Sequence, residues 1–374
     1  MAGIYIHIPF CKQACHYCDF HFSTNLSQTQ EVVDAITLEI VKRKEYLPKN
    51  SIINTIYFGG GTPSLLSTQQ LEQILETISK HFILDLEELT IETNPDDLKK
   101  EKLKELRSIG IDRLSIGIQS FDARLLKYYN RAHNAEESLQ AIDLAKNAGF
   151  EKLSIDLIYG FPSEDHQLWE KDLAIAIQQD PGHISSYCLT VEPKTALGNW
   201  AEKGKFKPAS EDFAADQFEM LQESMEKANY IQYEISNFGK INQFAIHNKN
   251  YWQNTPYLGV GPSAHSYDGK ERGFNISNNI KYIKAIETEQ IPFTVEAMTE
   301  EDIVNEYILT SLRTIWGTDI NFLNKRLGNG YLKGKADLLS QLQREQLLEI
   351  KDDHLILSNK GKLLADSIAA SLFI

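Results

Sequence analysis

Short apolar, β-branched runs alternate with longer stretches of helical periodicity through the first half of this 374-residue chain, and that rhythm leaves few folds open. The runs read as strands are Ile4–Pro9, Thr55–Phe58, Leu89–Thr93, Arg113–Ile118, Lys152–Ile158 and Ile184–Thr190. Helical spacing fills Gln30–Tyr46, Ser67–His81, Asp97–Ile109, Glu136–Ala148 and Gln167–Gln178 between them. Strands that are almost continuously apolar, each followed by a helix, belong in a parallel sheet covered by helices. Six β/α units are too few to close an eight-stranded barrel. The expected fold class is therefore α/β, with an open (β/α)6 partial barrel; a doubly wound open sheet has the same rhythm, and periodicity does not separate the two.

After residue 236 the rhythm changes. Residues 237–279 are rich in Asn, Gly, Tyr and His without a repeat, and read as loops and short elements. A compact tail is expected from about Thr299. It has helices near Glu301–Thr314, Asn321–Leu327 and Lys335–Glu345, a hairpin over Leu348–Leu357 turning at Lys351-Asp352-Asp353, and a last helix over Lys360–Ala370. The expected organisation is 1–236 a partial barrel, 237–298 a connector, and 299–374 a small α+β, winged-helix-like unit. A DNA-reading role for that unit is rejected: Glu301–Ile374 holds nine Lys/Arg against ten Asp/Glu, without the basic footprint of a nucleic-acid reader. A packing or lid role is expected instead.

Three of the four cysteines, Cys11, Cys15 and Cys18, follow the first strand within eight residues as C-x3-C-x2-C. Thiolates so close together point to a soft metal centre rather than to disulfides. Three donors leave one coordination position open. A structural zinc site is closed and four-coordinate, and would need His16, Asp19, His21 or the distant Cys188 as well. An iron–sulfur cluster is held by cysteine thiolates, commonly four, so one held by three leaves an iron free to bind a small molecule. Cys15 and Cys18 form a C-x-x-C pair, but the added Cys11 argues against a simple redox dithiol. Cys188, alone on an apolar strand, reads as a buried small hydrophobe.

The remaining unusual residues sit at the C-terminal ends of strands, where such sheets carry their sites. Strand two ends in Phe58-Gly59-Gly60-Gly61-Thr62-Pro63, whose glycines allow close backbone approach. Strand three ends with Glu92, a carboxylate among apolar neighbours that calls for a cationic partner unless it is a surface acid beside a turn. Strand five carries Asp156 inside an apolar run, where it needs Arg131 or a ligand hydroxyl; a structural Asp156–Arg131 pair is the plain alternative.

Composition bounds the rest. Apolar content of 42% and charged content of 24% belong to an ordinary globular protein. No run of about 18 apolar residues is present to span a membrane. The N-terminus enters a strand without a basic segment or cleavage site, so no signal peptide is expected. The cysteine usage fits a reducing compartment, and the cytoplasm is the expected location. A net charge of −14 argues against nucleic acid and against electrostatic attachment to anionic lipid.

The cysteine spacing, with an aromatic residue before the last cysteine and a strand before the first, resembles the cluster motif of the radical S-adenosylmethionine (SAM) enzymes. Tyr5-Ile6-His7-Ile8-Pro9-Phe10-Cys11 resembles its HemN/HemW branch, which holds oxygen-independent coproporphyrinogen III oxidases and haem chaperones, and the resemblance covers nearly the whole chain. It implies the TIM-like partial barrel and a [4Fe-4S] cluster on Cys11, Cys15 and Cys18. The open iron would be chelated by the amino and carboxylate groups of SAM. It implies SAM contacts from Gly60, Gly61, Thr62 and Glu92, and from Tyr5, while Gln119, Arg131 and Asp156 match positions that meet a second SAM in the oxidases.

Two features place the chain on the chaperone side of that resemblance. The oxidase motif adds a fourth cysteine two residues after the third, where this chain has Phe20, and the ten residues before Cys11 are too few for the oxidase's N-terminal extension. His247-Asn248-Lys249-Asn250-Tyr251-Trp252 matches the chaperones' His-Asn-x-x-Tyr-Trp haem motif. A neutral imidazole ligates haem iron well, and Tyr251 and Trp252 offer flat apolar faces with polar tips; without the family match, His247 reads as a packed core group. His265 is a second candidate for pocket lining. The implied partners are haem and haem-accepting proteins, respiratory and membrane-bound ones among them, reached by protein contact and without direct membrane insertion. Decarboxylation of coproporphyrinogen III and radical chemistry on an unrelated substrate are the alternatives.

Overall fold

Six parallel strands lie side by side in chain order in the computed structural model, which describes residues 1–328 and 330–374. They are β1 (Ala2–Ile8), β2 (Ile52–Gly60), β3 (Ile83–Thr93), β4 (Arg113–Gln119), β5 (Lys152–Tyr159) and β6 (Gly182–Cys188). The crossovers run through α1 (Thr29–Lys42), α2 (Thr68–His81), α3 (Lys100–Ser108), α4 (Ala123–Tyr128), α5 (Ala135–Asn147) and α6 (Gln167–Gln179). A doubly wound sheet reverses its strand order at a switch point so that helices cover both faces. Here the order through β1–β6 never reverses. Right-handed crossovers then place every helix on one face, which is the arrangement of a partial barrel and not of a doubly wound sheet.

Local chemistry fixes where the helices start. Ser67 caps α2 and Asn134 caps α5, each in a reciprocal capping box, with Gln70 and Glu137 respectively. The apolar faces of these helices close over Ile4, Ile6, Ile56, Ile91, Ile116 and Ile155, all fully buried. Helix α1 stops at Lys42, short of the expected Tyr46.

The larger departure from expectation is the segment read as a connector. Short strands β7 (Ile231–Glu234), β8 (Asn237–Gly239), β9 (Tyr257–Val260), β10 (His265–Tyr267), β11 (Arg272–Asn275) and β12 (Phe293–Glu296) extend the sheet to twelve strands, ordered β12-β11-β10-β9-β1-β2-β3-β4-β5-β6-β8-β7. β9 runs parallel to β1, and β8 and β7 continue antiparallel beyond β6. The boundary placed between residues 236 and 237 falls inside the β7–β8 pair. Strands of three or four residues carry too little alternation to announce themselves. What holds β9–β11 is polar and buried. Glu39 of α1 pairs with Arg43 at 2.9 Å and accepts from the Gly261 N–H, Asn275 Nδ2 and the Tyr282 hydroxyl.

The tail folds around its own apolar cluster, including Val304, Ile308, Leu312, Leu355 and Ile368. Its three-stranded sheet has the order β13 (Thr318–Asp319), β15 (His354–Leu357), β14 (Leu348–Lys351). Asp352 and Asp353 both take positive φ, 47° and 58°, the backbone that a two-residue hairpin turn needs. The last helix is broken into Asn359–Lys362 and Ala365–Ser371, leaving Leu363 and Leu364 exposed at the break. Helices Ala196–Glu202 and Glu211–Lys227 were not expected. Among the described residues, no helix is long and apolar enough to cross a membrane.

Candidate functional site

A cavity of about 940 Å³ opens at the C-terminal ends of β1–β6. Its wall gathers Cys11, Cys15, Cys18, Gly60, Gly61, Thr62, Glu92, Gln119, Arg131 and Asp156, ten of the residues singled out from the sequence, from six separate segments. The loop carrying the cysteines is pinned along its length. Cys11 N–H donates to the Ser23 carbonyl at 3.1 Å and His16 N–H to the Tyr129 carbonyl at 3.0 Å, while Lys12 bridges to Asp96 and Asp97.

A chain of hydrogen bonds joins two of the cysteines through the barrel rim. Thr62 Oγ1 donates to Cys11 Sγ at 3.6 Å and accepts from Asn94 Nδ2 at 3.2 Å. Asn94 Oδ1 accepts from Arg131 at 2.5 Å, and Arg131 in turn donates to Cys15 Sγ at 3.3 Å and to the Gly117 carbonyl. Asn94 was not singled out from the sequence; its place after Glu92 on the same strand end was the available signal. The donor set fits an iron–sulfur cluster: three thiols face one cavity, with a guanidinium and a hydroxyl already directed at two of the sulfurs. Burial holds the Cys11 and Cys18 thiols up, at about 11 and about 12, so they ionise only when a cation joins them. Among the described residues, no three His, Cys, Asp or Glu side chains converge on a single-ion position. His16 and His21, the nearby zinc candidates, are engaged elsewhere, by the Tyr128 carbonyl at 2.7 Å and by Asn279 at 2.8 Å.

The glycines next to the cysteine loop serve a close approach within the protein itself. A Cβ on Gly60, whose φ is +107°, would sit 2.7 Å from the His7 ring, and one on Gly61 would sit 2.5 Å from the Phe10 carbonyl oxygen. Gly61 and Thr62 N–H groups donate to the Ile8 and Phe10 carbonyls, so the segment is laid directly on the start of the cysteine loop. Gly60 N–H donates to Glu92 Oε2 at 3.0 Å and the Tyr57 hydroxyl to Oε1 at 2.8 Å. Even so, burial pushes the Glu92 carboxyl up to about 7, and Asp156 adds to the rise.

Asp156 and Arg131 form no ion pair, contrary to the expected alternative. Asp156 accepts weakly from Ser115 at 3.4 Å and is pushed up to about 6 by burial, while Arg131 is turned to the cysteine loop. Gln119 holds a positive φ of 68° at a β-bulge on the cavity wall, the kind of strained backbone that collects at binding sites.

Below the cavity lies a smaller polar chamber of about 200 Å³, bordered by Tyr5, Tyr57, Glu92, Asp156, His247 and Tyr251. Tyr5 belongs to this chamber and not to the cysteine wall. His247 is 2% exposed, and its two ring nitrogens face Thr55 Oγ1 at 2.8 Å and the Tyr251 hydroxyl at 2.9 Å. Burial lowers its pKa to about 3, so the ring is neutral, but it offers no free nitrogen to a ligand. Trp252 lies under the Arg313 guanidinium at 5.2 Å.

The helix bearing these residues, Ile246–Trp252, is clamped from outside the motif. Glu88 accepts the N–H groups of Ile246 and His247, both at 2.9 Å, and pairs with Arg113 at 2.8 Å. Removing one partner of a buried pair strands the other's charge. Arg113→Ala is therefore expected to cost about 3–5 kcal/mol in urea unfolding; a change under about 1 kcal/mol would show that the clamp carries little stability.

Two sequence candidates lie elsewhere than expected. Cys188 is exposed, because it is the last residue of β6 and meets the cavity at the rim instead of lying mid-sheet. His265 is exposed on β10 and borders neither cavity, because β9–β11 continue the sheet away from the strand ends.

Known proteins resemble this chain in sequence and fold. Residues 5–174 match the Radical SAM superfamily and residues 298–364 the HemN C-terminal domain. The chain is 35% identical to heme chaperone HemW of Bacillus subtilis over 98% of each chain. The chain belongs to the HemW family. Heme chaperone HemW of Lactococcus lactis is 32% identical over 97% of this chain and 95% of its own length. The fold of this HemW-family chain also matches the solved coproporphyrinogen III oxidase HemN of Escherichia coli, with a TM-score of 0.85 over 100% of this chain and 90% of the other at 22% identity. The superfamily carries a [4Fe-4S] cluster and SAM.

Proposed function

We propose that this chain is a haem chaperone of radical SAM type, which holds a cluster on Cys11, Cys15 and Cys18, binds SAM beside it, and passes haem to haem-dependent proteins. The observation that carries the reading is the cysteine cavity in a chain that matches heme chaperones HemW over nearly its full length. Bound there, the cluster supplies the electron for SAM cleavage in the wider family. Thr62 and Arg131 would steady the thiolates of Cys11 and Cys15 by charge-assisted hydrogen bonds. Glu92 would take the ligand's ammonium, and Gln119 and Asp156 border the room beside it. Phe20, which stands where the oxidases carry another cysteine, is 68% exposed on the same wall.

The fold likeness to an oxidase gives the competing reading its specific support. Anaerobic incubation of the reconstituted protein with coproporphyrinogen III, SAM and a low-potential reductant separates the two. No protoporphyrinogen is expected while a known oxidase turns over beside it, and haem added to the protein is expected to be retained through gel filtration. Product at a catalytic rate would make the chain an oxidase.

A further inference from the structure

The outer wall of the cysteine cavity is built from side chains that neither the cluster nor SAM requires. Phe20, Leu363 and Leu364 border it and stay 68%, 38% and 45% exposed. The two leucines sit where the last helix of the tail breaks, so the break itself brings them to the mouth. Large apolar groups exposed together around a cavity mark a ligand surface. The cavity, at about 940 Å³, lies at the upper end of the range of about 300–1,000 Å³ for small-molecule sites.

Among the described residues two cations of this wall have no carboxylate within ion-pair distance: Arg131, which is turned to the cysteine loop, and Lys362. Lys362 is half-buried and bonds only neutral oxygens, Gln232 Oε1 at 3.1 Å and Asn359 Oδ1 at 3.3 Å. Among the described residues no carboxylate comes within ion-pair distance of it, and Glu226 acts on it only from farther away. Its neighbour Arg313 is matched by Glu234 and Asp366, at 3.2 and 2.8 Å. A partly buried ammonium without an anion is unfavourable unless a ligand brings one. Burial lowers the Lys362 pKa to about 8, in keeping with an unmet charge.

We propose that haem sits against this wall, with Phe20, Leu363 and Leu364 covering the faces of the macrocycle and Lys362 Nζ pairing with a propionate carboxylate. The inference rests on the haem-chaperone reading and moves the seat of haem away from His247, which is sealed by Thr55 and Tyr251. The break between the last two helices then makes the tail part of the binding site.

The test uses the full chain, titrated with haem, with haem dimethyl ester and with SAM, in the wild type and in Lys362→Met, which keeps the packing of the stem. The variant is expected to bind haem about tenfold or more weakly, as for loss of a charged hydrogen bond, and SAM with unchanged affinity. The ester is expected to lose a similar factor on the wild type and no further factor on the variant. Wild-type haem binding that survives Lys362→Met, an ester held as tightly as haem, or an equal loss of SAM binding would each overturn the seat and leave the chaperone reading standing. Failure of the wild type to bind haem would overturn both.

Discussion

Cys15→Ala is expected to leave the chain folded but unable to hold an iron–sulfur cluster or to bind SAM. The cavity offers three thiols from one pinned loop, and Arg131 stands 3.3 Å from the sulfur of the middle one. With that sulfur gone, the guanidinium faces the remaining ligand pair without the charge it is placed to meet, and two thiolates are too few to retain a cubane. Loss of a partner outside the ligand set typically costs about 10–100-fold in metal affinity, and loss of a ligand costs more. Iron and sulfide analysis after anaerobic reconstitution measures the effect, with thermal unfolding of the metal-free proteins as the control. Iron content and SAM binding equal to those of the wild type would remove the cluster from this site. The exposed Cys188 at the same rim could be enlisted in place of the lost ligand, so the double variant with Cys188→Ala belongs in the comparison.

Glu92→Gln is expected to act in opposite directions on binding and on stability. The Glu92 carboxyl is raised to about 7 from an ordinary value of 4.5, chiefly by burial. The folded state therefore prefers its protonated form. The stability that this proton contributes is fully present below about 4.5 and is lost as the pH rises through about 7. Asp156, raised to about 6, loses its contribution in the same direction at slightly lower pH. Metal-free wild type should thus lose stability between about pH 5 and 7.5, on the order of 2–3 kcal/mol from Glu92. The glutamine variant should lack most of that loss and be the more stable protein at pH 8. SAM binding should move the other way. A cationic amino group stabilises the ionised carboxylate, so wild-type affinity should rise from pH 6 to pH 8, and the variant should bind about 10–100-fold more weakly at pH 8. Urea unfolding and SAM titration across this range read both effects. If the variant showed the wild type's pH profile in either measurement, Glu92 would not be the group responsible.

The two predictions rest on residues that differ in how they could be found. Cys11, Cys15 and Cys18 announce themselves by spacing, because one loop must present all three. Glu92 and Asp156 were visible as charges in apolar runs, and the structure has Glu92 next to last in β3 and Asp156 within β5. Whether they had partners was not visible, because a partner such as Arg131 comes from another segment and the fold turned it toward Cys15 instead. Asn94, which completes the link between Cys11 and Cys15, had only its place two residues after Glu92 to mark it. His247 was legible as a motif but not as a sealed side chain, since Thr55 and Glu88 lie far from it in the chain.

By itself, the sequence determined the period of the barrel units, the helix start at Ser67, the hairpin turn at Lys351-Asp352-Asp353 and the set of thiols. These depend on side-chain spacing and backbone preference within a few residues. Only the tertiary structure decided that β9 flanks β1, that Cys188 meets the rim, and that Leu363, Leu364 and Lys362 face the cysteine cavity. Those outcomes depend on contacts between segments distant in sequence, where strands of three or four residues or a two-residue helix break carry no local signature, and burial is set by which surface arrives opposite.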